Sequence, residues 1–138
     1  MHVDTHVHVI SDDETRFPLD PSGVTGAWYR DDPCSVERLL TLMDGAGVDA
    51  AVLVQAISAY RHDNRYCADS ARRFPERCTS VACIDVNGAD PVSDARDVVQ
   101  REGMRGIRWV SIREGGVREP RALWVEIEAL RVDRKSVV

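Results

Sequence analysis

The sequence predicts an α/β fold in which parallel β/α units form about half of a TIM barrel. Apolar or alternating stretches suited to strands occur at residues 1–10, 50–56, 79–86 and 105–112. Each is followed by a stretch with turn signals and helical periodicity, and this order implies right-handed crossovers and a parallel sheet. A complete (β/α)₈ barrel takes about 250 residues, whereas this chain has 138. We therefore treat residues 1–138 as one partial barrel domain.

Composition excludes several classes of protein. Hydrophobic residues make up 43% of the chain and charged residues 30%, as in ordinary soluble domains. The net charge is −5 and no basic stripe occurs, which argues against a nucleic-acid partner. No apolar run reaches the ~20 residues of a membrane span, so no membrane partner is expected. The N-terminus lacks a signal peptide and the four cysteines form no C-x-x-C pair. We expect a cytoplasmic protein.

The first strand carries the strongest chemical signal in the chain. Strict alternation predicts apolar side chains on one face and polar ones on the other. The predicted polar face carries His2, Asp4, His6 and His8. Burying such groups unpaired would cost roughly 2 kcal/mol or more each, but imidazole and carboxylate are good ligands for Zn²⁺. His6 and His8 are thus a candidate half of a metal site. The alternative is a polar, solvent-facing strand.

Local signals also place the helices. Residues 11–34, rich in proline and glycine, form a long loop in which Trp28 and Tyr29 either line a pocket or pin the loop to the core. The predicted helix N-caps are Ser35, Asp63 and Asp90, with Pro91 at the first position of the third helix and a last helix near Arg121. The tail after this helix shows no periodicity.

Three further residues are candidates for binding a substrate. Gln55 ends the second strand, at the edge where α/β sheets place their sites. Arg65, in the first turn of the second helix, either grips a substrate carboxylate or is an exposed surface residue. Arg108 lies within an apolar strand, where a charge needs a partner; it binds either an anionic substrate or a structural counter-ion. No glycine-rich phosphate loop is present, so nucleotide-binding folds lack support.

The N-terminal D-x-H-x-H motif resembles the first-strand signature of the amidohydrolase superfamily. Further stretches are similar to its amidohydrolase-2 branch, which contains 2-pyrone-4,6-dicarboxylate lactonase. The stretches that carry the resemblance are Asp4-Thr5-His6-Val7-His8, Val52-Leu53-Val54-Gln55-Ala56, Asp63-Asn64-Arg65-Tyr66 and Gly103-Met104-Arg105-Gly106-Ile107-Arg108. The likeness covers the N-terminal half of the family's barrel and stops before the fifth strand.

The resemblance implies roles for the candidate residues. His6 and His8 would be catalytic and would bind a divalent metal, Zn²⁺ being one candidate. Arg108, Arg65 and Gln55 would bind the substrate. The family's further histidines on strands five and six, and its aspartate on strand eight, have no counterpart here. A catalytic Zn²⁺ normally has three protein ligands, and some members of the lactonase branch work without a metal, so metal-independent chemistry also stays open.

The expected function is hydrolysis of a lactone or related small carboxylated molecule by an activated water, in a truncated chain with little activity alone. The alternatives are decarboxylation or hydration, an inactive fragment, and a binding subunit. A half barrel would leave its first and fourth strands as open edges and its inner face uncovered. We therefore expect either a homodimer or pairing with the missing C-terminal half.

Overall fold

The computed structural model describes residues 1–21, 26–109, 121–130 and 133–136. In these ranges the chain forms one parallel sheet with helices between successive strands, which confirms the predicted fold class. The strands, in spatial and sequence order, are β1 (Val3–Val7), β2 (Ala50–Val54), β3 (Cys78–Cys83), β4 (Gly106–Trp109) and β5 (Asp133–Ser136). The helices are α1 (Trp28–Asp31), α2 (Val36–Ala46), α3 (Ile57–Tyr60), α4 (Arg65–Arg73), α5 (Pro91–Gln100) and α6 (Arg121–Ala129).

Two of the predicted N-caps are present. The Ser35 side chain accepts a hydrogen bond from the backbone N–H of Arg38 at 3.4 Å and begins α2. Asp90 accepts from the N–H of Ser93 at 2.9 Å, with Pro91 at the first position of α5. Gly47 ends α2 at φ 68°, a left-handed conformation that costs glycine little.

The start of α4 differs from the prediction by one residue. Asn64, not Asp63, is the N-cap residue, and Asp63 instead accepts from the backbone N–H of Arg65 at 3.0 Å. The structure also contains the one-turn helices α1 and α3, which the sequence did not predict. Four residues are too few for a helical hydrophobic period to be visible.

The fifth strand corrects the prediction for the tail. β5 pairs with β4 in parallel along all four of its residues, from Gly106↔Asp133 to Trp109↔Ser136. Its sequence, Asp-Arg-Lys-Ser, has no apolar alternation, so only pairing with β4 reveals it as a strand. The sheet edges within the described residues are therefore β1 and β5, not β1 and β4. The predicted end of the fourth strand, residues 110–112, lies outside the described residues.

Strand register separates the two faces of the sheet. The outer face packs against the helices and includes Leu53, Ala82 and Ile107. The inner face, which would line a barrel, carries Val54, Val81, Cys83 and Arg108. These four residues are only 0–6% exposed, although Val52 and Thr79, nearer the amino ends of the strands, are half-buried. The prediction of an uncovered inner face is therefore wrong at the carboxyl ends of the strands.

None of the helices in the described ranges combines the length and apolar character needed to cross a membrane. The four cysteines form no disulfide; Cys67, Cys78 and Cys83 are buried.

Candidate active site

The candidate site lies at the carboxyl ends of the strands. His6 belongs to β1 and His8 follows it directly, Gln55 is the first residue after β2, and Arg108 lies in β4. The predicted side-by-side arrangement of the two histidines is confirmed: their ring centroids are 5.1 Å apart and their planes cross at 86°. Since Val7 pairs with Leu53 on the outer face, alternation places both imidazoles on the inner face.

Asp4 does not share that face, contrary to the strict alternation predicted for the first strand. Asp4 pairs with Ala51 and Val7 with Leu53, so three steps along β1 match two along β2. One extra residue in a strand is a β-bulge, which reverses the facing of the residues beyond it. The Asp4 carboxylate accepts from the His6 backbone N–H at 3.0 Å, a local bond that stabilises the bulge.

His8 is held in one tautomer. Its Nδ1 lies 2.7 Å from the main-chain oxygen of Val54. Because a carbonyl oxygen only accepts hydrogen bonds, Nδ1 carries the proton in this contact and Nε2 keeps a lone pair. Burial lowers the pKa of His8, and the nearby charges of Arg108 and His6 lower it further, although the bond to Val54 acts in the opposite direction. His8 is therefore a neutral imidazole at pH 7, the form that ligates metals and accepts protons.

Arg108 is a buried cation on the inner face. It is only 6% exposed, and its Nη2 donates to the main-chain oxygen of Gln55 at 2.9 Å. Within the described residues its Nε has no hydrogen-bond partner and its guanidinium forms no ion pair. A buried charge with so few partners is costly. An anion placed beside it would satisfy the guanidinium.

Gln55 builds the loop that follows β2. Its side chain is 1% exposed, and its Nε2 donates to the main-chain oxygens of Arg61 and Asp63, each at 3.0 Å. Its own main-chain oxygen holds Arg108. Its Oε1 is buried without a hydrogen-bond partner in the described part of the chain. Gln55 is therefore tied to Arg108 through the backbone and to the loop through its amide.

Arg65 lies apart from this arrangement. Its side chain is 57% exposed and forms a bidentate ion pair with Asp63, in which the shortest N–O distance is 2.6 Å. It lines a separate cavity of about 240 Å³ together with Arg16, Phe17 and Asp69. Arg65 thus has the local ion pair and exposure of a surface residue, and the site is built from Arg108 instead.

One functional group of the site gives no signal in the sequence. The Val54 carbonyl that orients His8 is a main-chain group and leaves no signal in the residue types. The sequence leaves two roles open for Trp28 and Tyr29, lining a pocket or pinning the loop to the core. The structure distinguishes Trp28 from its neighbour. Its ring centroid lies 5.6 Å from that of His8 at an interplanar angle of 31°, and it is 38% exposed, whereas Tyr29 is 6% exposed.

Comparison with known proteins shows which family the sequence matches. The sequence model of a protein family described as Amidohydrolase matches residues 3–135. No match arises among curated protein sequences.

Solved structures share the fold. A probable 2-pyrone-4,6-dicarboxylic acid hydrolase from Acinetobacter baumannii, solved with citric acid bound, is 16% identical with a TM-score of 0.72; the match covers 98% of this chain and 48% of that one. A 2,6-dihydroxybenzoate decarboxylase from Rhizobium is 18% identical with a TM-score of 0.67, covering 96% and 48%. A 5-carboxyvanillate decarboxylase from Novosphingobium aromaticivorans, complexed with manganese and 4-hydroxy-3-methoxy-5-nitrobenzoic acid, is 16% identical with a TM-score of 0.70, covering 97% and 49%. The chain spans about half the length of each, and its fold is half of their TIM barrel.

A divalent metal fits the two histidines as part of a ligand set. His8 has the neutral state, the oriented ring and the second hydrogen bond to a carbonyl that are typical of metal-ligating histidines. The described residues contain no group of three or more His, Cys, Asp or Glu side chains placed to hold an ion. His6 and His8 therefore offer two of the three protein ligands that a catalytic ion usually takes.

Proposed function

The chain belongs to the amidohydrolase family, and on that premise we propose that it forms the N-terminal half of an active site that hydrolyses a lactone or related ester of a small carboxylated molecule. The observation that carries this proposal is the buried Arg108 on the same inner face as the histidine pair. A cation there binds a carboxylate, and the imidazoles beside it act on the reacting carbonyl. The probable hydrolase of a pyrone dicarboxylic acid that shares the fold supports this choice of substrate class.

The chemistry divides among the residues as follows. Arg108 holds the substrate carboxylate through Nη2 and Nε, while the main-chain oxygen of Gln55 fixes the guanidinium. His6 and His8 lie beside the carbonyl that water attacks, and His8 presents its Nε2 because Val54 holds Nδ1. Water oxygen bonds to the carbonyl carbon, the ring C–O bond breaks, and the proton from water passes to the departing oxygen. The family resemblance assigns the general base to strand eight, which has no counterpart in this sequence.

His6 and His8 would hold a divalent metal jointly with ligands from outside the described residues. When bound, such an ion polarises a carbonyl oxygen and lowers the pKa of a bound water.

Decarboxylation is a second candidate, and the comparisons favour it equally. Two decarboxylases of aromatic acids share the fold over 96% and 97% of this chain. The same Arg108 would then hold a carboxylate of the aromatic acid. In an acid with two carboxylates, such as 5-carboxyvanillate, this is the one that stays on the ring, and a proton replaces the carboxylate that leaves. The two reactions differ in product, because hydrolysis opens a ring and releases a new carboxylate, whereas decarboxylation releases CO₂.

The test is a binding experiment with a matched control. 2-Pyrone-4,6-dicarboxylate and 2,6-dihydroxybenzoate are titrated into the 138-residue chain and followed by ligand-observed NMR. We expect Arg108→Met to weaken binding by about tenfold or more, because it removes a charged hydrogen-bond donor. Arg105→Met, which removes an exposed arginine three residues away, is expected to leave affinity unchanged. Equal affinities for wild type and Arg108→Met would overturn the proposal. The wild-type affinities for the two compounds compare the two candidates: tighter binding of the pyrone dicarboxylate favours hydrolysis, and tighter binding of the benzoate favours decarboxylation.

A further inference from the structure

We propose that Trp28 is a specificity-determining residue, whose indole forms an aromatic wall against which a planar, conjugated carboxylate stacks. This inference rests on the proposed function, since it uses the carboxylate site at Arg108. It adds a residue from the loop after β1 and a requirement for the shape of the substrate.

The geometry places the indole at the histidine pair. The His8 ring contacts both the His6 ring and the Trp28 indole, with centroid separations of 5.1 Å and 5.6 Å. The indole is tilted by 31° to the His8 ring, within the distance range of aromatic ring contacts. Trp28 therefore extends the inner-face site toward the loop.

Tyr29, and not Trp28, anchors the loop to the core. Tyr29 is 6% exposed and belongs to the hydrophobic core, and its ring meets that of Trp28 edge to face, with centroids 5.9 Å apart. This contact fixes the direction of the indole without burying it. Trp28 stays 38% exposed, although a fully buried aromatic ring would stabilise the fold more.

The exposed indole contacts His8, and the charge of the buried Arg108 also acts on His8, so His8 links the two side chains. This arrangement suits one class of ligand. A flat conjugated ring presents a π-face that stacks on the indole while its carboxylate reaches toward Arg108. A saturated ring of the same size is puckered and offers no π-face. Aromatic pairs contribute about 0.5–1.5 kcal/mol beyond burial, which corresponds to a preference of roughly three- to tenfold.

The experiment compares two carboxylates that share a six-carbon ring, one planar and aromatic and the other puckered and saturated. Benzoate and cyclohexanecarboxylate are each titrated into the 138-residue chain by ligand-observed NMR. We expect benzoate to bind about three- to tenfold more tightly to wild type. Trp28→Leu is expected to abolish this preference, whereas Trp28→Phe retains most of it. Trp124→Phe, on α6, is the matched control and is expected to leave the preference unchanged.

A second measurement does not depend on the folding of the leucine variant. In wild type, benzoate ring protons are expected to show intermolecular NOEs to indole protons that are absent in Trp28→Phe. Equal binding of both carboxylates, or a preference that Trp28→Leu leaves intact, would overturn the inference and leave the proposed function standing. Binding of neither carboxylate would overturn the inference, and the Arg108→Met comparison with 2-pyrone-4,6-dicarboxylate then decides whether the proposed function stands.

Discussion

At the scale of single residues, the hydrogen bond between His8 and Val54 decides what the histidine pair can do. It orients the imidazole, assigns the proton to Nδ1 and leaves Nε2 as the reactive nitrogen. Alternation along the strand predicts that His6 and His8 lie side by side, but the state of His8 depends on a carbonyl 46 residues away.

If His6 and His8 ligate a divalent metal, replacing either histidine weakens metal binding. We expect His6→Ala and His8→Ala each to weaken Mn²⁺ or Zn²⁺ binding by at least about tenfold, because each removes an imidazole ligand. His62→Ala is the matched control, since His62 lines a different cavity, formed by residues that include Asn64 and Asp85. Isothermal titration calorimetry with each metal measures the effect. A loss in His62→Ala as large as that in His8→Ala would contradict the assignment.

The partly buried Glu102 is expected to make the free energy of unfolding depend on pH. Burial, followed by the charge of Asp63, raises the pKa of Glu102 above its ordinary value of 4.5, and its Oε2 is buried without a partner in the described residues. A group whose pKa rises on folding stabilises the fold below its unfolded pKa, and this contribution is lost as the pH rises through the folded pKa. The ionised side chain therefore opposes folding at pH 7.

We expect Glu102→Gln to raise the free energy of unfolding at pH 7 and to change it little at pH 4. Urea denaturation at both pH values measures the difference. Glu76→Gln, at an exposed position, controls for the change in net charge. A stability difference that is the same at pH 4 and pH 7 would show that ionisation of Glu102 is not the cause.

At the scale of the elements, short helix-starting signals are reliable where the capping bond is local. Ser35 and Asp90 both bond to an N–H three residues ahead, so the cap is contained in the sequence that predicts it. The start of α4 is less local, because Asn64 uses its side chain to bond with Cys83 of β3 instead, accepting at 2.8 Å and donating at 3.1 Å. Tertiary contacts therefore shift that boundary.

The cap of α5 can be tested directly. Asp90→Ala is expected to lower the free energy of unfolding by about 1 kcal/mol, because the N–H of Ser93 loses its acceptor. Asp90→Asn retains an acceptor oxygen and is expected to lose less than half of that amount. Urea denaturation followed by circular dichroism gives both values. Equal losses in the two variants would indicate that the carboxylate charge, not the hydrogen bond, stabilises the helix.

At the scale of the whole molecule, one edge of the sheet stands out. Within the described residues β1 pairs only with β2, so the other edge of β1 keeps unpaired backbone groups. Val3 on this strand is 42% exposed. Natural proteins protect such edges because they pair readily with other strands.

We therefore expect the isolated chain to associate through this edge, as a dimer or as larger aggregates. Light scattering at increasing protein concentration measures the mass. Val3→Lys, which places a charge on the edge strand, is expected to reduce association. A monodisperse species of 15.4 kDa with a cooperative thermal transition would contradict the prediction. We also expect the isolated chain to show little turnover of lactones. Robust turnover that His6→Ala abolishes would contradict this expectation.

The sequence by itself determined the order of the β/α units, the shared face of His6 and His8, and the starts of α2 and α5. These features arise from periodicity and from bonds between residues a few positions apart. That Arg108 needs a partner was also predictable, because a charge within an apolar strand is rarely buried unpaired.

Only the tertiary structure decided which partners these residues meet. β5 forms because its backbone groups pair with those of β4. Asp4 lies on the opposite face from the histidines because β1 contains a bulge where it pairs with β2. His8 meets Val54 and Trp28, and Arg108 meets Gln55, across long sequence separations. Main-chain carbonyls and strand register carry no residue-type signal, since every residue has the same backbone groups. The assembly of the site therefore follows from the packing of the sheet, even though its side chains are visible in the sequence.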